Sequence, residues 1–96
     1  MTKQILKRLE KVMDPEFNIS VVDMGLIYKV AEASGKAEIT MTLTSPGCPL
    51  ANLIINDIKK SVLKIKGINR VEVDLVFDPV WTKDRLSNKA KAKLGL

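Results

Sequence analysis

The spacing of apolar positions changes several times along the chain, and each change predicts an element. Ile5, Leu6, Leu9, Val12 and Met13 recur at helical spacing behind Thr2, a suitable N-cap. Asp14 ends this helix, because the residue before a proline is driven out of the helical region, and residues 15–18 then read as a turn. Residues 21–30 are apolar and rich in β-branched side chains. A strand is predicted over residues 26–33, with Gly25 marking a bulge or a close approach of two backbones. Ser34, Gly35 and Lys36 form a hairpin turn into the clearest strand of the chain. There Ala37, Ile39, Met41 and Leu43 share one face, and Glu38, Thr40, Thr42 and Thr44 share the other.

A second helix follows, with Leu50, Ile54, Ile58, Val62 and Ile65 down one face, Leu53 beside them and Gly67 in the position that ends helices. Val71, Val73, Leu75 and Phe77 alternate with acidic positions as a third strand, which residues 78–81 break. A short helix runs from near Ser87 to Gly95. The order is α-β-β-α-β-α. A helical crossover makes the third strand parallel to the second and antiparallel to the first, in a sheet ordered 1-2-3 or 2-1-3. The expected fold is a two-layer α+β domain over residues 1–96, a small three-stranded mixed sheet with helices packed on one face.

Between the second strand and the second helix lies Thr42-Leu43-Thr44-Ser45-Pro46-Gly47-Cys48-Pro49-Leu50, which carries the only cysteine. Pro49 suits a first helical turn and puts Cys48 at or beside the N-cap. There the free N–H groups and the helix dipole favour thiolate over thiol. The competing reading is a small buried hydrophobe, the common state of a free cysteine. Thr44 and Ser45 are either part of the same site or simple caps of the loop.

Composition narrows the chemistry. The chain has no histidine, so Cys–His and Ser–His–Asp nucleophilic sites cannot be built from it. A structural zinc site needs four Cys or His ligands. A metal on the monomer would need Cys48 with carboxylates, chiefly Asp14, Glu16, Asp23 or Asp78. Asp14 and Glu16, flanking Pro15, read either as an acid/base pair or as turn formers, and Asp78 before Pro79 has the same two readings. Trp81 is either a recognition aromatic or a wedge closing the core edge. The formal net charge of +5 invites a nucleic-acid partner. The bases, however, fall where solvated helix faces are predicted, and no aromatic is interleaved with them. The strand order resembles RNA-binding KH domains, but their G-x-x-G loop is missing, as is any phosphate loop. No apolar run reaches the length of a membrane span, no secretory leader is evident, and a single cysteine fits a reducing compartment. The expectation is a cytoplasmic protein without a membrane or nucleic-acid partner.

Four ordered segments add a family resemblance: Asp14-Pro15-Glu16, residues 22–28 (Val-Asp-Met-Gly-Leu-Ile-Tyr), residues 42–49 around Cys48, and residues 76–81 (Val-Phe-Asp-Pro-Val-Trp). With Leu86-Ser87 and Leu94-Gly95 they resemble the SufT/PaaD-like domain of iron–sulfur cluster assembly factors over nearly the whole chain. The resemblance implies the iron–sulfur assembly-domain fold and a non-enzymatic role in maturing iron–sulfur proteins. It assigns the reactive thiol to Cys48, the acidic turn to Asp14 and Glu16, and the hydroxyl to Thr44, and it puts Asp23 in the aspartate-methionine-glycine signature. Ser45, Asp78 and Trp81 complete the expected support. The implied cargo is a transient iron–sulfur cluster or iron at Cys48, since one thiol cannot supply the usual four cluster ligands. The implied partners are scaffold, carrier or separate ATPase proteins and client apoproteins, with a homodimer as a way of supplying two thiols. The cysteine-rich C-terminal extension of PaaD-type oxygenase accessory proteins is absent, which favours a SufT-like role. The alternatives are that accessory role and a cysteine-dependent thiol enzyme in which Asp14 or Glu16 moves protons. Asp14, Glu16, Asp23, Thr44 and Cys48 are expected to converge at one end of the domain, with Asp78 and Trp81 towards it.

Overall fold

The structure, a computed structural model, describes residues 2–15, 17–44 and 51–95. Its elements are α1 (Thr2–Leu9), β1 (Met13–Asp14), β2 (Ile19–Ser20), β3 (Ile27–Ala33), β4 (Lys36–Met41), α2 (Ala51–Leu63), β5 (Arg70–Leu75), a 3-10 turn (Lys83–Arg85) and α3 (Asn88–Leu94). The sheet order is β3-β4-β5, antiparallel then parallel, which resolves the two predicted orders in favour of 1-2-3. The expected α+β fold is present, with a two-residue hairpin of β1 and β2 added to it.

Register explains why β4 is central. Ala37 sits between Glu32 and Val71, Ile39 between Val30 and Val73, and Met41 between Ile27 and Leu75. This face lies under α1 and α2: α1 packs on α2 and β3, and α2 packs on β5. Ile5 and Leu9, one helical turn apart, meet Ile54, Ile58 and Val62 in a continuous core with Ile39 and Met41. The opposite sheet face is polar. There Lys36 pairs with Glu38 at 3.5 Å and Glu72 at 3.0 Å, and Arg70 pairs with Glu72 at 3.1 Å. The hairpin turn between β3 and β4 has Ser34 at φ 53° and Gly35 at φ 82°, the left-handed pair that two-residue hairpins need.

Several boundaries differ from the pattern reading, each for a visible reason. The first helix stops at Leu9, and Lys11 and Val12 donate to the carbonyls of Arg8 and Leu9 at 3.1 and 3.0 Å as it tightens. Val12 is still buried, but its carbonyl accepts from Val21 N–H at 2.9 Å. Met13, expected on the helix face, is 40% exposed in β1. Pro15 holds Asp14 extended, and the extended backbone finds partners in Ile19–Ser20. β4 ends at Met41 rather than Thr44, and Thr42, expected on the polar face, is fully buried next to buried Leu43. The strand bulge lies between Ile27 and Lys29, not at Gly25. β5 begins at Arg70 and ends at Leu75, so Phe77 lies beyond it and is 38% exposed. α3 matches its expected caps: Ser87 Oγ accepts from Ala90 N–H at 3.1 Å, and Gly95 closes the C-terminus.

Candidate functional site

Five of the eight candidate residues are described: Asp14, Asp23, Thr44, Asp78 and Trp81. Glu16, Ser45 and Cys48 lie outside the described residues, and so does the proposed cap of α2.

The 42–44 lead-out is tied to the stretch before β3, because Thr42 N–H donates to Leu26 carbonyl at 2.8 Å. The other side of β4's end is held by β5, where Val76 N–H donates to Met41 carbonyl at 2.8 Å. Segment 76–87 then folds back over residues 23–28. Trp81 Nε1 donates to Met24 carbonyl at 2.7 Å, Ser87 N–H to Asp23 carbonyl at 2.9 Å, and Tyr28 hydroxyl to Pro79 carbonyl at 2.8 Å. The Arg85 guanidinium lies 4.3 Å from the Tyr28 ring centre, a cation–π contact. Gly25 makes the closure possible. Its φ is +73°, and a Cβ there would stand 2.2 Å from Arg85 carbonyl oxygen. Of the bulge and the close approach that the sequence left open at Gly25, the close approach is present, and its partner lies sixty residues later in the chain.

Trp81 thus serves as the wedge: its ring packs against the core edge and its N–H is satisfied. Asp78 precedes Pro79, to which Tyr28 is anchored, through a cis peptide bond. Thr44, half-buried, is two residues past the Leu26 contact. These residues and the backbone of Asp23 gather around the end of the sheet where β4 leaves it.

Asp14 is positioned by the small hairpin. It is 5% exposed, its Oδ1 accepts from Phe17 N–H at 3.4 Å, and its carbonyl accepts from Asn18 N–H at 2.7 Å. This is the turn-forming arrangement weighed for it from sequence. Asp23 donates its N–H to Ser20 Oγ at 3.1 Å and lines a groove with α1, the end of α2 and Lys89. Sequence reading missed Arg85, and it placed Tyr28 in the 22–28 motif and Ser87 at a helix start without assigning either a part in closing this end. The only available signals were an aromatic at the end of the 22–28 motif and a serine at a helix start.

Among the described residues, no three His, Cys, Asp or Glu side chains group as a metal site. Among the described residues, Lys36 and Glu72 have clearly shifted pKa values, and both lie on the outer sheet face. The hydrogen bond from Lys36 holds the Glu72 carboxyl below its ordinary value, and the same bond raises Lys36. Among the described residues, no helix is long and apolar enough to cross a membrane.

A sequence model of the family described as "Iron-sulfur cluster assembly protein" matches residues 2–75. An Fe-S protein maturation auxiliary factor of Porphyromonas gingivalis is 45% identical over 97% of this chain and 90% of its own length. The Fe-S protein maturation auxiliary factor SufT of Staphylococcus aureus is 44% identical over 88% of this chain and 98% of its own. A crystal structure of a domain of unknown function from Bacillus anthracis superposes with a TM-score of 0.93 at 41% identity, covering 99% of this chain and 92% of that one. The fold, the ordered motifs and these likenesses agree: the chain belongs to the iron–sulfur cluster assembly protein family, among its SufT-like members.

Proposed function

We propose that the protein is a non-enzymatic auxiliary factor in the maturation of iron–sulfur proteins, working in the cytoplasm through the Cys48 thiolate. The observation that carries this reading is similarity at 45% identity, across nearly the full length of both chains, to a protein named as such a factor. The described residues that precede Cys48 in the chain support it: residues 42–44, which lead out of β4, adjoin an end of the domain closed by hydrogen bonds. Cys48 contacts iron or a cluster as cargo, or docks a carrier. One thiol supplies one of the usual four cluster ligands, and the carrier, client or a second copy supplies the others. Contact is therefore transient, and release to a client is easy. Thr44 and Ser45 orient the segment, Asp14 and Glu16 shape the neighbouring turn, and Asp23, Asp78 and Trp81 hold the base on which it stands.

Anaerobic reconstitution with iron and sulfide tests the thiol's part directly. Wild-type protein should acquire visible charge-transfer absorption and the matching mass under native conditions, and Cys48→Ala should acquire neither. Equal uptake by both proteins would remove Cys48 from the account.

A further inference from the structure

The cations of the chain are scattered in sequence, but the fold collects six of them along one open groove of about 790 Å³. Lys7, Arg8 and Lys11 come from α1 and the turn after it, Lys64 and Lys66 from the turn after α2, and Lys89 from α3. The five lysines are exposed and Arg8 is half-buried. None of the six is among the ion pairs of the described residues, which all lie on the outer sheet face. With Glu10 and Asp23 also in the lining, the six cations leave the groove with a formal excess of four positive charges. Helix-end chemistry accounts for some of them, since Lys7 and Arg8 occupy the last turn of α1 and Lys64 follows α2. It does not account for Lys89, which sits in the first turn of α3 where the helix dipole opposes a cation.

We propose that this groove docks an acidic polypeptide segment of a partner protein. Three features choose that occupant. No aromatic side chain lines the groove, so it offers no stacking platform for bases. Glu10 and Asp23 also line it, and they repel a continuous run of phosphates while leaving room for carboxylates spaced along a peptide. The ends of α1 and α2 at the groove are C-terminal and form no N–H cradle for a compact phosphate, so the side-chain cations alone meet an anion there. Carboxylates on a peptide reach lysines on three separate elements without needing an N–H cradle. The groove shares Asp23 with the base proposed for the Cys48 segment, but none of its six cations is among the residues assigned to the sulfur chemistry.

The test uses a fluorescein-labelled peptide of alternating glutamate and serine, with anisotropy read at low salt. Lys7→Glu combined with Lys64→Glu reverses two groove charges; Lys29→Glu combined with Lys83→Glu reverses two exposed charges outside it, with the same change in net charge. The groove pair should weaken binding about tenfold, and the control pair by less than about threefold. The neutral pair Lys7→Gln with Lys64→Gln should fall between wild type and the reversed pair, and melting curves confirm that each variant folds. Equal weakening by both reversed pairs, or no saturable binding, would overturn the proposal. So would displacement of the peptide by oligothymidine or inorganic phosphate at lower concentration than by unlabelled peptide.

Discussion

Gly25→Ala is the sharpest perturbation the fold offers, because two costs can be separated by a control. Gly25 has φ +73°, where an L side chain is strained by about 1–2 kcal/mol. The added Cβ would also lie 2.2 Å from Arg85 carbonyl oxygen and 2.6 Å from Arg85 Cβ, so the 83–87 segment must move. That segment carries the Ser87 to Asp23 bond and follows directly on the Trp81 to Met24 bond. Losing or lengthening these costs about 0.5–1.5 kcal/mol each. The expected total is about 2–5 kcal/mol, a large share of the roughly 5–15 kcal/mol that holds a domain of this size together. Gly95→Ala is the control. Gly95 has nearly the same φ, +77°, but nothing lies within 4 Å of its Cβ position, so only the backbone strain remains. Urea unfolding of the two variants should therefore differ by about 1–3 kcal/mol, with Gly25→Ala the weaker protein. Equal losses, or a Gly25→Ala cost below that of Gly95→Ala, would refute the claim that the backbones of residues 25 and 85 are in contact.

Trp81→Phe keeps an aromatic wedge but removes the donor to Met24 carbonyl, so it should cost about 1 kcal/mol and lower Tm by about 4–8 °C, read by calorimetry. An unchanged Tm would show that the indole bond is not formed in solution. On the outer sheet face, the folded pKa of Glu72 is depressed, chiefly by its hydrogen bond from Lys36. Its stabilisation is therefore present above the unfolded-state pKa and is lost as pH falls through the lower folded value. A carbon-13 NMR titration should place the Glu72 midpoint below that of free glutamate, and Lys36→Ala should move it upward. No movement would mean that Lys36 is not its partner.

The elements read most directly from sequence are those where one periodicity is unopposed. In β4 the strict alternation of Ala37, Ile39 and Met41 with Lys36, Glu38 and Thr40 became three buried rungs and a polar face. In α3, Ser87 and Gly95 cap the ends as their chemistry dictates. Reading failed where tertiary partners outvoted local pattern. Val12 fits a helical face, yet its backbone is taken by Val21 and only its side chain reaches the core. Thr42 continues the polar alternation of β4, yet the closing 76–87 segment and the 23–28 segment bury that end of the sheet. Sheet order had a usable signal in hindsight: β4 carries the cleanest apolar face, as a central strand covered by helices should. The sulfur of Cys48 was singled out by residue chemistry, but Gly25 against Arg85 and the six-cation groove arise from long-range approach, which no local window contains.

The central claim is that the sulfur atom of Cys48, and not merely a folded domain, does the work. The most direct measurement is the activity of an iron–sulfur enzyme, per molecule of enzyme protein, in cells lacking their own copy of this factor and supplied with wild type or Cys48→Ser. Serine replaces one atom and suits the helix-start position expected of Cys48 from sequence, so the variant should accumulate to the wild-type level. The account predicts that wild type restores the client's activity while Cys48→Ser leaves it at the level of empty cells. Full restoration by the serine variant would contradict it and leave the protein a scaffold.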